Sequence, residues 1–272
     1  MSGLTRKDLA PLERAEVEAC RSWTASTPEA VARDLGIAMR PIGSGLAVRA
    51  SGVDILMYNR VVGLGDEALA CASDLDEAID FFREAAVPRI MVNVAPSATL
   101  ELPTWLEARG FYLHNHWIRL WRDGALPVVG TPEPRVRPIG REHAEAFART
   151  DVEAFGHPEA LIPWIAATVG LPGWRHWAAF DGGEPVGFGA LFVSGDLGWL
   201  GFGSTRSTHR RRGIQSALIA TRLRAAAALG CRLLSVETAD DTPEKPNPST
   251  HNLARNGFRI AYKRPNWVLK LA

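Results

Sequence analysis

The sequence predicts an α/β protein built from two copies of one fold. Strand-like and helix-like signals alternate from residue 30 to 121, a stretch rich in proline and glycine interrupts them, and the same order of signals then returns. The offset between matching positions drifts slowly. Gly63 lies 140 residues before Gly203, Ile90 143 before Leu233, Gly110 147 before Gly257 and Trp117 150 before Trp267. Two copies carrying small loop insertions give that drift.

Composition sets the bounds. Of 272 residues, 46% are apolar and 22% charged, ordinary for a soluble globular protein. The 31 basic and 30 acidic residues leave a net charge of +1, so no global field points to a nucleic acid or a membrane, and any basic site must be local. Cys20, Cys71 and Cys231 form no metal or redox spacing and fit a reducing compartment. The residues from Met1 to Glu18 are charged throughout and carry no apolar signal core. No window reaches the roughly 20 apolar residues of a membrane helix. The expected location is cytoplasmic, without a membrane partner.

The first half then unfolds in order. Residues 59–65 read as a strand entering a turn. Leu75, Ala78, Ile79, Phe82 and Ala86 fall at helical spacing, with Asp74 as cap, and Pro88 ends that helix. Residues 89–94 are a buried strand rich in β-branched residues, residues 100–109 a helix closed by Gly110, and residues 114–121 an alternating strand. Pro127, Pro132, Pro134 and Pro138, with Gly124 and Gly130, make a linker. The domains expected are therefore 1–125 and 139–272, joined by 126–138.

The second half opens with a helix over 141–150. It continues through a loop-rich stretch holding His157, Trp164, Trp174, His176 and Trp177. Gly182-Gly183 signals a hairpin between residues 177–181 and 186–193, and Ser194-Gly195-Asp196 turns the chain into the strand 199–204. A basic turn, Arg206-Ser207-Thr208-His209-Arg210-Arg211-Arg212-Gly213, leads to a helix from Ile214 to Leu229, and residues 232–238 are the next strand. Three arginines and a glycine at the first turn of a helix suit a phosphate. The first helical N–H groups lack internal partners and the dipole is positive there, while arginine adds forked, permanently charged donors.

Arg210-Arg211-Arg212-Gly213-Ile214-Gln215 resembles the (Arg/Gln)-x-x-Gly-x-(Gly/Ala) signature of the GNAT acyltransferases. Gln215 departs from it, standing where glycine or alanine is usual. It either narrows the approach to a pyrophosphate or donates to it. The resemblance implies two GNAT-like domains, each a mixed, mostly antiparallel sheet flanked by helices, with acetyl-CoA as co-substrate. It implies a pyrophosphate loop at Arg210, Arg211, Arg212, Gly213, Ile214, Gln215 and Ser216. It also implies an open strand edge at Gly203, Ser204 and Thr205, whose N–H groups bind the thioester carbonyl. Asn247-Pro248-Ser249 through Asn256-Gly257-Phe258 resembles the last family motif, with Asn247 and Asn252 as cofactor contacts. Leu253 stands where the family often has a tyrosine that protonates the leaving thiolate, so Ser249 and Tyr262 are the substitutes. Glu237, at a strand end near the implied splay, is the expected base. Trp164, Trp174 and Trp177 are expected to line the acceptor side.

The first half has Cys71-Ala72-Ser73-Asp74, then Asp76, Glu77 and Asp80, where the second has its arginines. Carboxylates there suit the helix dipole but repel a pyrophosphate. The first copy is thus expected to be degenerate, a wall for the substrate cleft. The chain is expected to transfer acetyl from acetyl-CoA to the amine of a small molecule or amino acid, without a metal. The alternative is a non-catalytic acyl-CoA-binding regulator. The acidic first half and the lack of an aromatic-basic face disfavour nucleic acid.

Overall fold

The computed structural model describes residues 6–129 and 133–271, so Gly130 and Pro132 of the linker lie outside the described residues, as do residues 1–5. In chain order the elements are α1 (Arg6–Ala25), α2 (Glu29–Leu35), β1 (Ile37–Ile42), β2 (Gly45–Ala50), β3 (Arg60–Val62), α3 (Ala72–Arg83), β4 (Arg89–Asn93), α4 (Leu102–Ala108) and β5 (Tyr112–Asp123). There follow β6 (Val136–Pro138), α5 (Ala144–Phe155), α6 (Ile162–Ala166), β7 (Trp174–Asp181), β8 (Glu184–Ser194), β9 (Leu197–Thr205), α7 (Ile214–Ala228), β10 (Leu233–Ala239), α8 (Pro248–Arg255) and β11 (Arg259–Lys270). Two compact units result. One runs through Arg119 and takes back the chain from Ala261 on; the other is Leu120–Ile260. The last strand thus folds with the first unit, where the sequence boundaries assign it to 139–272.

In the first unit β1 and β2 form a hairpin, β2 pairs antiparallel with β3, β3 parallel with β4, and β4 antiparallel with β11. The apolar residues spaced along α3 bury Leu75, Ala78, Ile79 and Phe82 against Val61, Ile90 and Val92. Burial of each of the larger ones, Leu75, Ile79 and Phe82, contributes about 1.5–3 kcal/mol. Cys71, not Asp74, is the N-cap of α3. Asp74 is the third helical residue and accepts the Cys71 N–H at 2.8 Å, the return bond of a capping box. The long α1 buries Leu12, Ala15, Val17 and Ala19 together with Glu13 and Glu16. Those carboxylates meet three arginines: Arg119 Nε donates to Glu13 at 3.0 Å, and Arg264 and Arg60 reach Glu16 at 2.7 and 2.9 Å.

In the second unit the strand order is β10-β9-β8-β7-β6, antiparallel except for β9 against β10. Gly182 (φ +58°) and Gly183 (φ +92°) make the β7–β8 turn, a conformation that glycine adopts without a Cβ penalty. The three antiparallel strands before the arginine turn are thus present, as is the helix after it. Both units are mixed α/β with mostly antiparallel sheets and one parallel pair flanking a helix, α3 in one and α7 in the other. Gly110 (φ +82°) and Gly257 (φ +84°) close α4 and α8 in the same left-handed conformation. Among the described residues no helix is long and apolar enough to cross a membrane. Nor does any group of three or more His, Cys, Asp or Glu side chains there suit a metal ion.

Candidate active site

The parallel pair of the second unit stays together only briefly. Leu197 to Leu200 on β9 register with Leu233 to Val236 on β10; beyond that, β9 runs on to Thr205 and β10 to Ala239 without further registered partners between them. On its other side β9 carries a bulge. Gly201 registers with Ala190 and Ser204 with Phe188, so Phe202 and Gly203 together face Gly189. Phe202 has φ +51°, a left-handed conformation that is costly for a bulky residue and persists only where its surroundings hold it. Its ring packs among Phe147, Trp174 and Trp199, with centroids 5.5, 5.8 and 6.2 Å away.

Arg222, from the apolar face of α7, is the second hold. It is 3% exposed. Nη1 donates to Ala190 O and Gly201 O, both at 3.2 Å, and Nε donates to Leu218 O at 3.2 Å. A Cβ on Gly189 would stand 2.7 Å from the Arg222 Cζ, so any side chain opposite the bulge would push the guanidinium out of this position. Burial pushes Arg222 down to about 10, which still leaves it charged at neutral pH.

Past Thr205 comes the basic turn. A short 3₁₀ turn (Ser207–His209) leads to Arg211 at φ +64° and Gly213 at φ +77°, and Gly213 is the N-cap of the 15-residue α7. Left-handed residues interspersed before a helix start point successive N–H groups into a concavity that receives anions. Arg210 to Gly213 are exposed, and a Cβ on Gly213 would meet nothing within 4 Å. Arg212 and His209 lean on Asp181 of the β7–β8 hairpin, at 3.5 and 3.4 Å. The side chains of Arg210 and Arg211 have no partner among the described residues. Ile214 is buried and Ser216 half-buried.

Gln215 neither narrows this concavity nor points into it. Its Nε2 turns back to donate to Ser204 O at 2.7 Å and Thr205 Oγ1 at 2.8 Å, tying the start of α7 to the end of β9. Gly203, Ser204, Thr205 and the loop are thereby brought together.

The other residues that the sequence singles out are placed as follows. Glu237 is half-buried and follows Val236, the last residue of β10 that registers with β9. Asn247 is the N-cap of α8: Oδ1 accepts the Ser249 N–H at 3.0 Å and Nδ2 donates to Ala239 O at 2.8 Å. Asn252 accepts from Arg255 at 2.7 Å. Ser249 is exposed on the first turn of α8, whereas Leu253 is buried. Tyr262 lies in the first unit, where its hydroxyl donates to Glu13; burial and that carboxylate raise it well above the usual phenol range. Trp164, Trp174 and Trp177 are buried in the core, so they offer no open aromatic surface to an acceptor. Trp164 packs inward from α6 and Trp174 and Trp177 from β7, so their apolar bulk fills the interior. His176 is buried beside Thr168, and burial pushes it down to about 3.

Sequence reasoning missed Arg222 and Asp151. Both carried a signal: Arg222 falls four residues after Leu218 on the apolar face of α7, and Asp151 four after Phe147 on that of α5. Asp151 is 3% exposed, its Oδ1 has no hydrogen-bond partner, and burial pushes it up to about 7.

Residues 141–258 match the sequence model described as the Acetyltransferase (GNAT) family. They form a GNAT domain. The fold of the chain is similar to that of a GCN5-related N-acetyltransferase from Kribbella flavida (16% identity, TM-score 0.60, 93% of this chain and 94% of that one). It is likewise similar to one from Sphaerobacter thermophilus (16%, TM-score 0.61, 98% and 94%). A tandem GNAT protein from the clavulanic acid biosynthesis pathway also shares it (16%, TM-score 0.57, 98% and 95%). No curated protein matches the sequence. The GNAT domain thus holds the divergent strand pair, the bulge and the basic turn.

Proposed function

We propose that the GNAT domain transfers an acyl group, acetyl first among them, from its coenzyme A thioester to the amine of a small molecule or amino acid. The observation that carries this reading is the parting of β9 from β10 beyond Leu200 and Val236, directly upstream of a glycine-capped helix with an open anion concavity. The residues fit the co-substrate. The space in front of Gly213 is free, Arg210 and Arg211 carry uncommitted charge among the described residues, and Gly203 to Thr205 offer a strand edge. The thioester supplies the activated acyl carbon.

The chain's own residues supply position and proton traffic. Arg210, Arg211 and the N–H groups at the start of α7 hold the pyrophosphate; Gly203, Ser204 and Thr205 orient the acyl arm. Glu237 accepts the proton that the acceptor nitrogen loses as its bond to the acyl carbon forms. The departing sulfur takes a proton as the C–S bond breaks, from Ser249 or a water, since Tyr262 is engaged by Glu13 and Leu253 has no proton to give. Thiol pKa values stand only about 1 to 2 units above neutrality, so this protonation asks little of the protein. The GNAT domain carries the reaction, in the cytoplasm, and the first unit is a copy without a cofactor loop.

A thiol-release assay with acetyl-CoA against amines, amino acids and aminoglycosides tests the proposal. Release that depends on acceptor supports it. Tight binding of acetyl-CoA with no release for any acceptor selects the non-catalytic acyl-CoA-binding reading, and absence of binding removes both.

A further inference from the structure

We propose that Arg222 is a positioning residue for acyl transfer: it fixes the Phe202 bulge of β9 and sets a buried positive charge behind the edge where negative charge develops on the acyl oxygen. This rests on the reading of the β9 edge as the acyl site.

A bulge breaks the strand ladder and leaves carbonyls short of partners. Arg222 Nη1 bridges two of them, Ala190 O and Gly201 O, one on each of the strands that the bulge separates. Were support of the strands its only task, an arginine would be a costly choice. It is buried, and among the described residues it meets carbonyls alone and no carboxylate. A buried cation is expensive unless paired and fully hydrogen-bonded. A positive charge held in a water-poor interior beside a developing negative charge is, in contrast, the arrangement that lowers a barrier most, because it needs no reorganisation during the reaction.

The geometry gives it a route. The Gly201 carbonyl that accepts from Arg222 belongs to the peptide whose N–H is that of Phe202, the left-handed residue of the bulge. Hydrogen bonds in a chain polarise one another, so a carbonyl drawn toward a guanidinium makes the N–H of the same peptide a stronger donor. Gly189 completes the device. Its missing side chain is the space that the guanidinium fills, since a methyl carbon there would come within 2.7 Å of Cζ.

The test compares wild type with Arg222→Met, Arg222→Lys and Gly189→Ala, the last displacing the guanidinium without removing it. The first readout is the infrared stretch of carbonyl-labelled acetyl-CoA bound to each protein. The expected result is a shift to lower frequency in wild type relative to water, lost in Arg222→Met and partly kept in Arg222→Lys. The second is steady-state kinetics, with kcat lower by about 10- to 100-fold in Arg222→Met, at or below the loss seen when a direct oxyanion donor is removed. KM for acetyl-CoA should stay within about twofold.

An unshifted carbonyl in bound wild type overturns the inference whatever the variants do. So does an equal shift in wild type and Arg222→Met, or a fall in kcat matched by lost affinity. If Arg222→Met does not fold, Arg222→Lys and Gly189→Ala carry the comparison, and unchanged carbonyl frequencies in both overturn it. Failure of wild type to bind acetyl-CoA removes the acyl site itself and this inference with it, an outcome distinct from binding without a shift.

Discussion

Gly213→Glu separates the cofactor loop from the fold. Gly213 has φ +77°, so any side chain there is strained by about 1–2 kcal/mol, but no atom lies within 4 Å of the new Cβ. A carboxylate at a helix start returns about 0.3–1 kcal/mol through the dipole. The net effect on folding is therefore at most about 1–2 kcal/mol, or roughly 2–8 °C in melting temperature at about 2–4 °C per kcal/mol. Binding is another matter, because the same carboxylate stands at the head of α7, where a pyrophosphate would approach. Acetyl-CoA at about 100 times its dissociation constant stabilises an intact site by roughly 2.7 kcal/mol, or about 5–10 °C on that scale. The expectation is that wild type shows this shift and Gly213→Glu does not, while Gly213→Ala, with the strain but neither the bulk nor the charge, retains part of it. Differential scanning fluorimetry over a ligand titration measures all three. An undiminished shift in Gly213→Glu refutes the assignment of the loop.

Calorimetric titration should find one acetyl-CoA per chain, because the first turns of α3 carry Asp74, Asp76 and Glu77 in place of the arginines that precede α7; two equivalent sites would contradict this. Glu237→Gln should lower kcat by about 10² to 10⁴, remove the acidic limb of the pH–rate profile and leave acetyl-CoA affinity unchanged, and near-normal turnover would sink the base assignment. Asp151 gives a stability test. Its folded pKa of about 7 stands above the ordinary 3.8, so the folded state binds more protons and stability falls as pH rises through that interval. The loss is at most about 4 kcal/mol, and Asp151→Asn should abolish its share of the slope and leave the variant more stable than wild type at pH 8. Urea titrations from pH 5 to 8 with identical slopes for the two proteins would disprove it.

What is legible in the sequence is local chemistry. Gly182-Gly183, Gly110 and Gly257 mark their turns because positive φ is written into the residue type. The apolar spacing of α3 and the arginine turn are likewise visible in short windows. The misses share one cause: a charged or strained residue doing interior work. Glu13 and Glu16 sit on the buried face of α1, where residue type gives no sign of burial, since their arginine partners lie more than 40 residues away. Phe202 is left-handed with no glycine or asparagine to announce it, because the surrounding rings and Arg222 impose the conformation. Gln215 sits in a ligand-binding motif, yet the acceptors within its reach are those at the end of β9. Tyr262 follows the last motif in the chain, which says nothing of the strand's partner, and β11 pairs with β4.

The two parallel strand pairs differ in what lies at their ends. In the first unit the second strand of the parallel pair, β4, ends in an engaged side chain just past its last pairing with β3. Asn93, which registers with Asn266 of β11, donates to its side chain at 2.6 Å and accepts from Arg60 at 3.2 Å; Asn266 in turn donates to Asn115 at 2.7 Å. Every one of these polar groups is committed to another. At the matching place in the GNAT domain β10 carries a half-buried carboxylate, Glu237, in place of an asparagine, and β9 runs on past its last registered pair with β10. The helix starts differ in the same sense. Asp74 turns back to cap α3 and spends the dipole on the chain itself, whereas α7 begins at a glycine that leaves its first N–H groups facing open space. On the proposed reading a pyrophosphate completes the second arrangement, whereas the start of α3 is already capped by its own Asp74. Exchanging Cys71-Ala72-Ser73-Asp74 for the basic turn would therefore not by itself create a second site, because Asn93, at the place of Glu237, carries no carboxylate and is held by Asn266 and Arg60.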